Sequence, residues 1–221
     1  MAQHKVKMEN NKVILYGSLI RKGYDSRTKR LTLVMTVFNN TGKDKSYTDH
    51  PVIVFEGDMA EHLNSSVPLR REDGKPTLIE VEGHIAREQF MRKVEGERNL
   101  YERVWEQTII GETLEVVDAV RSKNEVTIIG KVRNVWGNPA EGKRFYLITL
   151  EADGNIVTVV FFQRKMELDP QVGETLKCDA DIHTRIVRRN GRRLPEFSVN
   201  AWRVTKIAPA PISADNEEKI G

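Results

Sequence analysis

Asn11-Lys-Val-Ile-Leu-Tyr-Gly17 returns further along the chain as Asn124-Glu-Val-Thr-Ile-Ile-Gly130. Val13, Leu15, Gly17 and Leu19 alternate along the first copy, and Val126, Ile128, Gly130 and Val132 along the second. Period-2 alternation reads as a strand with one face on a core. A glycine inside a strand costs stability unless the strand must bend sharply. Its recurrence at the same place indicates a strand that must serve two sheets. Two more echoes follow. Val52-Ile-Val-Phe55 with Met59 returns as Val159-Val-Phe-Phe162 with Met166, and Ile79-x-Val81-x-Gly83-x-Ile85 as Leu176-x-Cys178-x-Ala180-x-Ile182. The offset falls from 113 to 107 to 97, so matching strands are joined by connections of unequal length. The chain reads as one unit of roughly 100 residues, used twice.

Working outward, the first unit reads as strands at 12–21, 31–38, 46–56, 77–93 and 99–117, with one or two helical turns at 58–63 and Asp58 as their N-cap. The second reads as strands at 125–135, 144–152, 155–163, 175–188 and 193–206, with Asp153-Gly154 and Asn190-Gly191 as turns and a short helical piece at 164–168. Residues 118–123 are a short linker, which places the two units close together. Five strands with a helix between the third and fourth is the order of the OB-fold, a small Greek-key barrel. The expected fold is all-β: two tandem five-stranded OB-fold barrels, one in residues 1–118 and one in 119–208, with 209–221 as a flexible C-terminal tail.

Composition narrows the function. Hydrophobic residues make up 39% of the chain and no apolar run nears membrane-spanning length, so no membrane partner is expected. The single cysteine, Cys178, cannot build a disulfide framework and fits a reducing cytoplasm. Charge is uneven. Residues 1–118 carry 18 Lys and Arg against 19 Asp and Glu, whereas residues 119–212 carry 16 against 10. That surplus suits a polyanion facing the second half.

Catalytic and cofactor chemistry finds no support. Gly137-Asn-Pro-Ala-Glu-Gly-Lys143 has P-loop spacing, but Arg144 stands where Ser or Thr would hold magnesium, and a strand follows. His4, His50, His62, His84 and His183 show no metal-ligand spacing, and no nucleophile elbow occurs. A non-enzymatic chain with no cofactor and no metal is the expectation.

Asn11 to Gly17, His50-Pro-Val-Ile-Val-Phe55 with Met59-Ala-Glu61, and Val81-Glu-Gly-His-Ile85 together resemble the first, third and fourth strands of bacterial single-stranded DNA-binding proteins. The resemblance covers most of residues 11–118; the second unit shares it more weakly, through Asn124–Gly130 and Val159–Phe162. It implies an OB-fold that binds single-stranded DNA, and base-stacking roles for Phe55 and Phe90. Asp49 stands where the family usually has tryptophan, which leaves Tyr47 as its substitute. The C-terminus, Asn216 to Gly221, departs from the family's acidic tip ending in Pro-Phe, which recruits replication partners.

Non-specific strand binding needs cations along the phosphates and exposed rings for the bases. In the first unit the best candidates lie on one hairpin: Arg87, Phe90, Arg92, Lys93, Tyr101, Arg103 and Trp105. Five glutamates there dilute the positive field, and a solvated ribbon with its rings packed inward is the alternative. In the second unit, Arg185, Arg188, Arg189, Arg192 and Arg193 crowd one tight turn, a repulsion that a polyanion would relieve. Lys131, Arg133, Trp136 and Arg144 add charge and one ring near the first loop. Phe161 and Phe162 point to opposite faces, and alignment with Phe55 makes Phe162 the surface residue. Trp202 lies inside the last strand, where a core position is the alternative. The expected partners are single-stranded DNA, replication or recombination proteins, and a second copy of the chain, since a homodimer of two-unit chains presents four surfaces. The rival readings are an interaction module of a replication or conjugation assembly and an RNA-binding protein.

Overall fold

A computed structural model describes residues 10–40, 46–93, 100–119, 123–137, 145–162, 168–189 and 192–207. The chain is nearly all β, with one helix among these residues. Its elements are β1 (Asn11–Asp25), β2 (Arg30–Asn40), β3 (Ser46–Asp49), β4 (Val52–Glu56), α1 (Gly57–Ser66), β5 (Leu78–Lys93), β6 (Tyr101–Val116), β7 (Lys123–Trp136), β8 (Tyr146–Ala152), β9 (Asn155–Phe161), β10 (Thr175–Arg189) and β11 (Arg192–Ile207). Every strand expected from the sequence is present, with ends shifted by up to four residues. The expected strand 46–56 is two strands, broken at His50-Pro51. Proline has no N–H to give to a ladder, so the strand is interrupted there, although the Pro51 carbonyl still accepts from the Met35 amide of β2 (3.3 Å). The helix begins at Gly57 rather than at a capping Asp58; Glu56 is its N-cap and makes no side-chain cap bond. Asp58 sits in the first turn, beside the positive end of the helix, and pairs with Lys29 at 3.3 Å. Ala60 and Leu63 turn inward. The second helical piece, 164–168, lies outside the described residues except for Leu168.

Pairing in each half returns to the strand it starts from. In the first, β1 pairs with β2, β2 with β4, β4 in parallel with β6, β6 with β5, and β5 with β1. In the second, β7 pairs with β8, β8 with β9, β9 in parallel with β11, β11 with β10, and β10 with β7. The repeat extends to irregularities. Extra residues bulge out of the first strands, Ile20 between Leu19 and Arg21 and Arg133 between Val132 and Asn134, and out of the last strands, Glu112 of β6 opposite Glu82 and Gly83 and Trp202 of β11 opposite Asp179 and Ala180. The buried cluster of Val, Leu, Ile and Phe draws on both halves, with Leu15, Leu33, Ile53, Ile79 and Ile109 from the first and Ile128, Ile148, Val159, Leu176 and Val199 from the second.

The repeated glycines lie where a neighbouring backbone comes close, a reason the alternation in the sequence does not give. A Cβ on Gly17 would lie 2.0 Å from the Thr36 carbonyl oxygen, and one on Gly130 would lie 2.6 Å from that of Glu151. The repeated asparagines have a role that the sequence reading missed. Asn11 donates from Nδ2 to the Ile85 carbonyl (2.8 Å) and accepts from its amide (3.0 Å), and Asn124 does the same with Ile182 (2.8 Å each). Each side chain thus imitates one more rung of backbone pairing.

The two halves share a ladder. β1 pairs antiparallel with β7, from Asn11 opposite Ile128 to Tyr16 opposite Lys123. Equivalent residues Val13 and Val126 face each other, and Asn11–Ile128 is matched by Leu15–Asn124. This is the self-complementary pattern of a two-fold interface, here within one chain. The lysine at the end of the expected linker is therefore already the first residue of an inter-unit strand.

Candidate nucleic-acid interface

Two hairpins, β5–β6 and β10–β11, run past the cores that anchor them. Ile85 opposite Ile109 is the last fully buried pair of the first hairpin. Beyond it, directly opposed residues share a face and successive residues alternate. Gln89 is opposite Trp105 and Met91 is opposite Arg103, so Arg87, Trp105, Arg103 and Tyr101 lie on one face. The Arg87 guanidinium stands 5.4 Å from the centre of the Trp105 ring, a cation–π contact, and Trp105 is 55% exposed. Tyr101 is equally open to solvent. Phe90 belongs to the other face, opposite Val104. The pleat thus turns Phe90 and Trp105 to opposite faces of the hairpin, although both border one cleft.

The Phe90 face borders a cleft of about 700 Å³ between the halves, lined by His50, Val52 and Val54 from the first unit and by Thr184, Glu196 and Phe197 from the second. Phe90 is 37% exposed there. Arg30 also lines the cleft, held in two bonds to Glu88 (3.0 and 2.6 Å). Burial pushes the Glu88 carboxyl up, but hydrogen bonds from Arg30 and Thr108 reverse this and hold it below the usual carboxylate range. Arg30 is correspondingly raised, first of all by its bond to Glu88.

Asp49 has a structural task where the resembling family has tryptophan. Its Oδ1 accepts from the Thr184 amide (2.5 Å) and hydroxyl (2.9 Å), and the His50 amide donates to the Thr184 hydroxyl oxygen (2.8 Å). These bonds clasp β3 to β10. His183 joins them, with Nδ1 3.6 Å from Asp49 and Nε2 3.1 Å from Asp181. Its pKa is raised, first by the bond to Asp181; burial opposes this, and the charges of Asp181 and Asp49 add to it. Because the folded value lies above the unfolded one, this stabilisation is complete below about pH 6.5 and fades as pH climbs through the raised value. The urea midpoint is therefore expected to fall between about pH 6 and pH 8.5, and His183→Gln is expected to flatten that dependence. A His183→Gln curve parallel to the wild-type one would remove His183 from the clasp.

Several expected site residues stand differently from their sequence reading. Phe55 is fully buried, its ring packed over Gly111, where even a Cβ would come within 2.2 Å of it. It is a core residue and cannot stack on a base. The pairing also corrects its alignment. Phe55 is opposite Leu31 and Phe161 is opposite Tyr146, so the buried Phe161 is the counterpart of Phe55, one residue from the match read in the sequence. Phe162 is nonetheless exposed, at 48%. Its ring meets Phe145 at 6.0 Å, and Phe145 meets Trp136 at 6.0 Å, with Trp136 51% exposed. Phe145 went unread because its partner becomes visible only once the β8–β9 register is known. Trp202 is a surface residue with the Arg203 guanidinium 5.2 Å from its ring centre.

Among the cations, Arg133 is tied to Glu151, and Arg185, well exposed, lies 3.3 Å from Glu196. Lys131 and Arg103 are exposed. Arg188 is opposite Arg193 and Arg189 opposite Arg192 in the β10–β11 ladder. The side chains of these four, and those of Tyr47, Arg92 and Lys93, lie outside the described residues, as does all of Arg144. Among the described residues no group of three His, Cys, Asp or Glu is placed to hold a metal ion, and no helix is long and apolar enough to cross a membrane.

No family model matches the sequence, and no curated protein matches it. Solved structures do. The wild-type single-stranded DNA-binding protein of Thermus aquaticus is 17% identical, with a TM-score of 0.62 over 92% of this chain and 96% of that one. A deletion mutant of the Thermus aquaticus protein, which also carries an arginine-to-alanine substitution, gives a TM-score of 0.64, again at 17% identity, over 92% of this chain and 97% of that one. Through nearly its whole length, the chain has the fold of these single-stranded DNA-binding proteins.

Proposed function

We propose that the protein is a tandem OB-fold chain, with barrels in residues 1–118 and 119–208, that binds and protects single-stranded DNA without catalysis. Residues 209–221 serve as a tail. The observation that carries this reading is the exposed face of the first hairpin, where Arg87, Arg103, Tyr101 and Trp105 put cations and rings on one surface of a fold shared with strand-binding proteins. Phe90 and the adjoining cleft continue the path toward the second unit. There Lys131, Arg133, Trp136, Phe162 and the hairpin arginines Arg185, Arg188, Arg189, Arg192 and Arg193 extend it, with Tyr47, Arg92, Lys93 and Arg144 as further contacts. The rings stack on bases of any identity, and the cations follow the phosphates. A cytoplasmic role in replication, recombination or DNA transfer, a homodimer with four binding units, and docking of replication or recombination proteins belong to the same proposal.

The test is a titration with oligo-dT, followed by tryptophan fluorescence at two salt concentrations, with duplex DNA and RNA as competitors. Quenching, preference for the single strand and an affinity that falls steeply with salt are expected. Equal affinity for duplex DNA would reject the reading. Phe90→Ala is expected to weaken oligo-dT binding by about 1–3 kcal/mol while leaving the melting curve in place, because the ring borders the cleft rather than filling a core. A variant that melts early instead would make Phe90 a packing residue. One observation favours a second reading, an interaction module with weak strand binding: the first unit has no cationic surplus, and its Arg30 is held by Glu88 and Glu56. Oligo-dT affinity that does not respond to salt would support that alternative.

A further inference from the structure

The two units carry different chemistry at the same three backbone positions. In the first, Arg30 on β2 lies directly opposite Glu56 on β4, and the pair is bridged at 3.3 Å. In the second, the register that sets Tyr146 opposite Phe161 brings Phe145 and Phe162 to the corresponding places, and there two rings meet at 60°. The third position lies on the first strand of each unit. Trp136 is opposite Leu147, whereas its counterpart Gly23 is opposite Thr32 and has open space around it. A neutralised ion pair beside a glycine thus corresponds to a row of three rings.

We propose that Trp136, Phe145 and Phe162 form a stacking platform for unpaired bases, which at this edge belongs to the second unit and not to the first. About half of Trp136 and of Phe162 faces solvent. Apolar rings left in water at that scale gain stability when another surface covers them. The covering surface is a nucleic acid strand rather than a protein because residues 119–212 carry 16 Lys and Arg against 10 Asp and Glu. That surplus attracts a polyanion, and the rings supply the sequence-tolerant face that an unpaired base requires. The ring planes are inclined at 46° and 60° to their neighbours rather than stacked flat, so the row is not sealed by its own contacts. In the first unit Arg30 is already neutralised by Glu56 and Glu88, and none of the three corresponding positions, Gly23, Arg30 and Glu56, carries a ring. The inference rests on the strand-binding reading and adds a division of labour to it: the second unit provides stacking at an edge where the first provides only rigidity.

The experiment compares the full-length chain with Trp136→Ala and Phe162→Ala, using two labelled probes of equal length, oligo-dT and an abasic phosphodiester strand. Phe145→Leu and Phe162→Leu serve as variants that keep apolar volume while removing the ring face. Each loss of a ring is expected to weaken oligo-dT binding on the order of tenfold, with the abasic affinity and the salt slope unchanged. If the wild type prefers oligo-dT and every variant retains that preference in full, the platform is wrong and the strand-binding reading stands. If the wild type binds neither probe, both fall. If the variants leave oligo-dT binding intact but change self-association in sedimentation, the rings are a protein contact and the proposal is overturned.

Discussion

Gly17→Val is expected to cost about 3 kcal/mol or more, at or beyond the upper end of what added atoms do to a packed site, seen as a large drop in the urea midpoint. The reason lies in the backbone and not in the side chains around it. Even a Cβ would lie 2.0 Å from the Thr36 carbonyl oxygen and 2.8 Å from its carbon. A flexible side chain could swing aside, but Thr36 is held in the β1–β2 ladder opposite Ser18. Relief therefore requires β1 and β2 to separate next to the bulge at Leu19. Gly17 also sits between two partners, opposite Val37 of β2 and Ile79 of β5, so the displacement spreads to both sides. Gly130 offers an internal control. Its nearest obstacle, the Glu151 carbonyl oxygen, stands at 2.6 Å, so Gly130→Ala should be destabilising but less so than Gly17→Ala. Equal and small effects at both sites would mean that the bend of the first strand does not depend on glycine.

The duplicated plan was legible because a strand has a period of two and its core face is apolar in both copies. The echo of Asn11–Gly17 in Asn124–Gly130 located β1 and β7, whereas the close approach of the neighbouring strand at the recurring glycines shows only in the structure. What escaped the reading lies in what alternation along one strand leaves out. Alternation separates the two faces of a strand but does not say where the core ends. Along β5 the face of Ile85 is buried, and two residues later the same face carries the exposed Arg87. Phe90 and Trp105, read together on one hairpin, leave it on opposite faces because Phe90 is opposite Val104 and Trp105 is opposite Gln89, a register the sequence alone does not show. Phe55 ends an apolar run like a surface ring, yet Gly111 on β6 leaves a recess that only a buried ring fills. The one-residue slip between Phe55 and Phe161 could be corrected only through their cross-strand partners, Leu31 and Tyr146. Asp49 could not be read at all from its neighbours in sequence, because the residue it holds is Thr184, 135 positions away.

Replacing Arg188, Arg189, Arg192 and Arg193 together by alanine is expected to act in opposite directions on stability and on binding. The ladder sets Arg188 opposite Arg193 and Arg189 opposite Arg192. Like charges directly opposed on neighbouring strands repel, so their removal should leave the fold as stable as before or slightly more so. Arg185 is kept because it has a partner in Glu196 at 3.3 Å and its loss would mix the two effects. A single strand releases about 0.7 counterions per phosphate neutralised, so losing four contacts should reduce the slope of log affinity against log salt by about three. The affinity loss should accordingly be largest at low salt and shrink as salt rises, whereas loss of a stacking ring weakens binding by a similar factor at every salt concentration. This difference separates the two halves of the proposed mechanism in a single titration series. A quadruple variant that binds oligo-dT with the wild-type slope would show that these guanidinium groups do not touch the strand, and the charge surplus of residues 119–212 would then need another explanation.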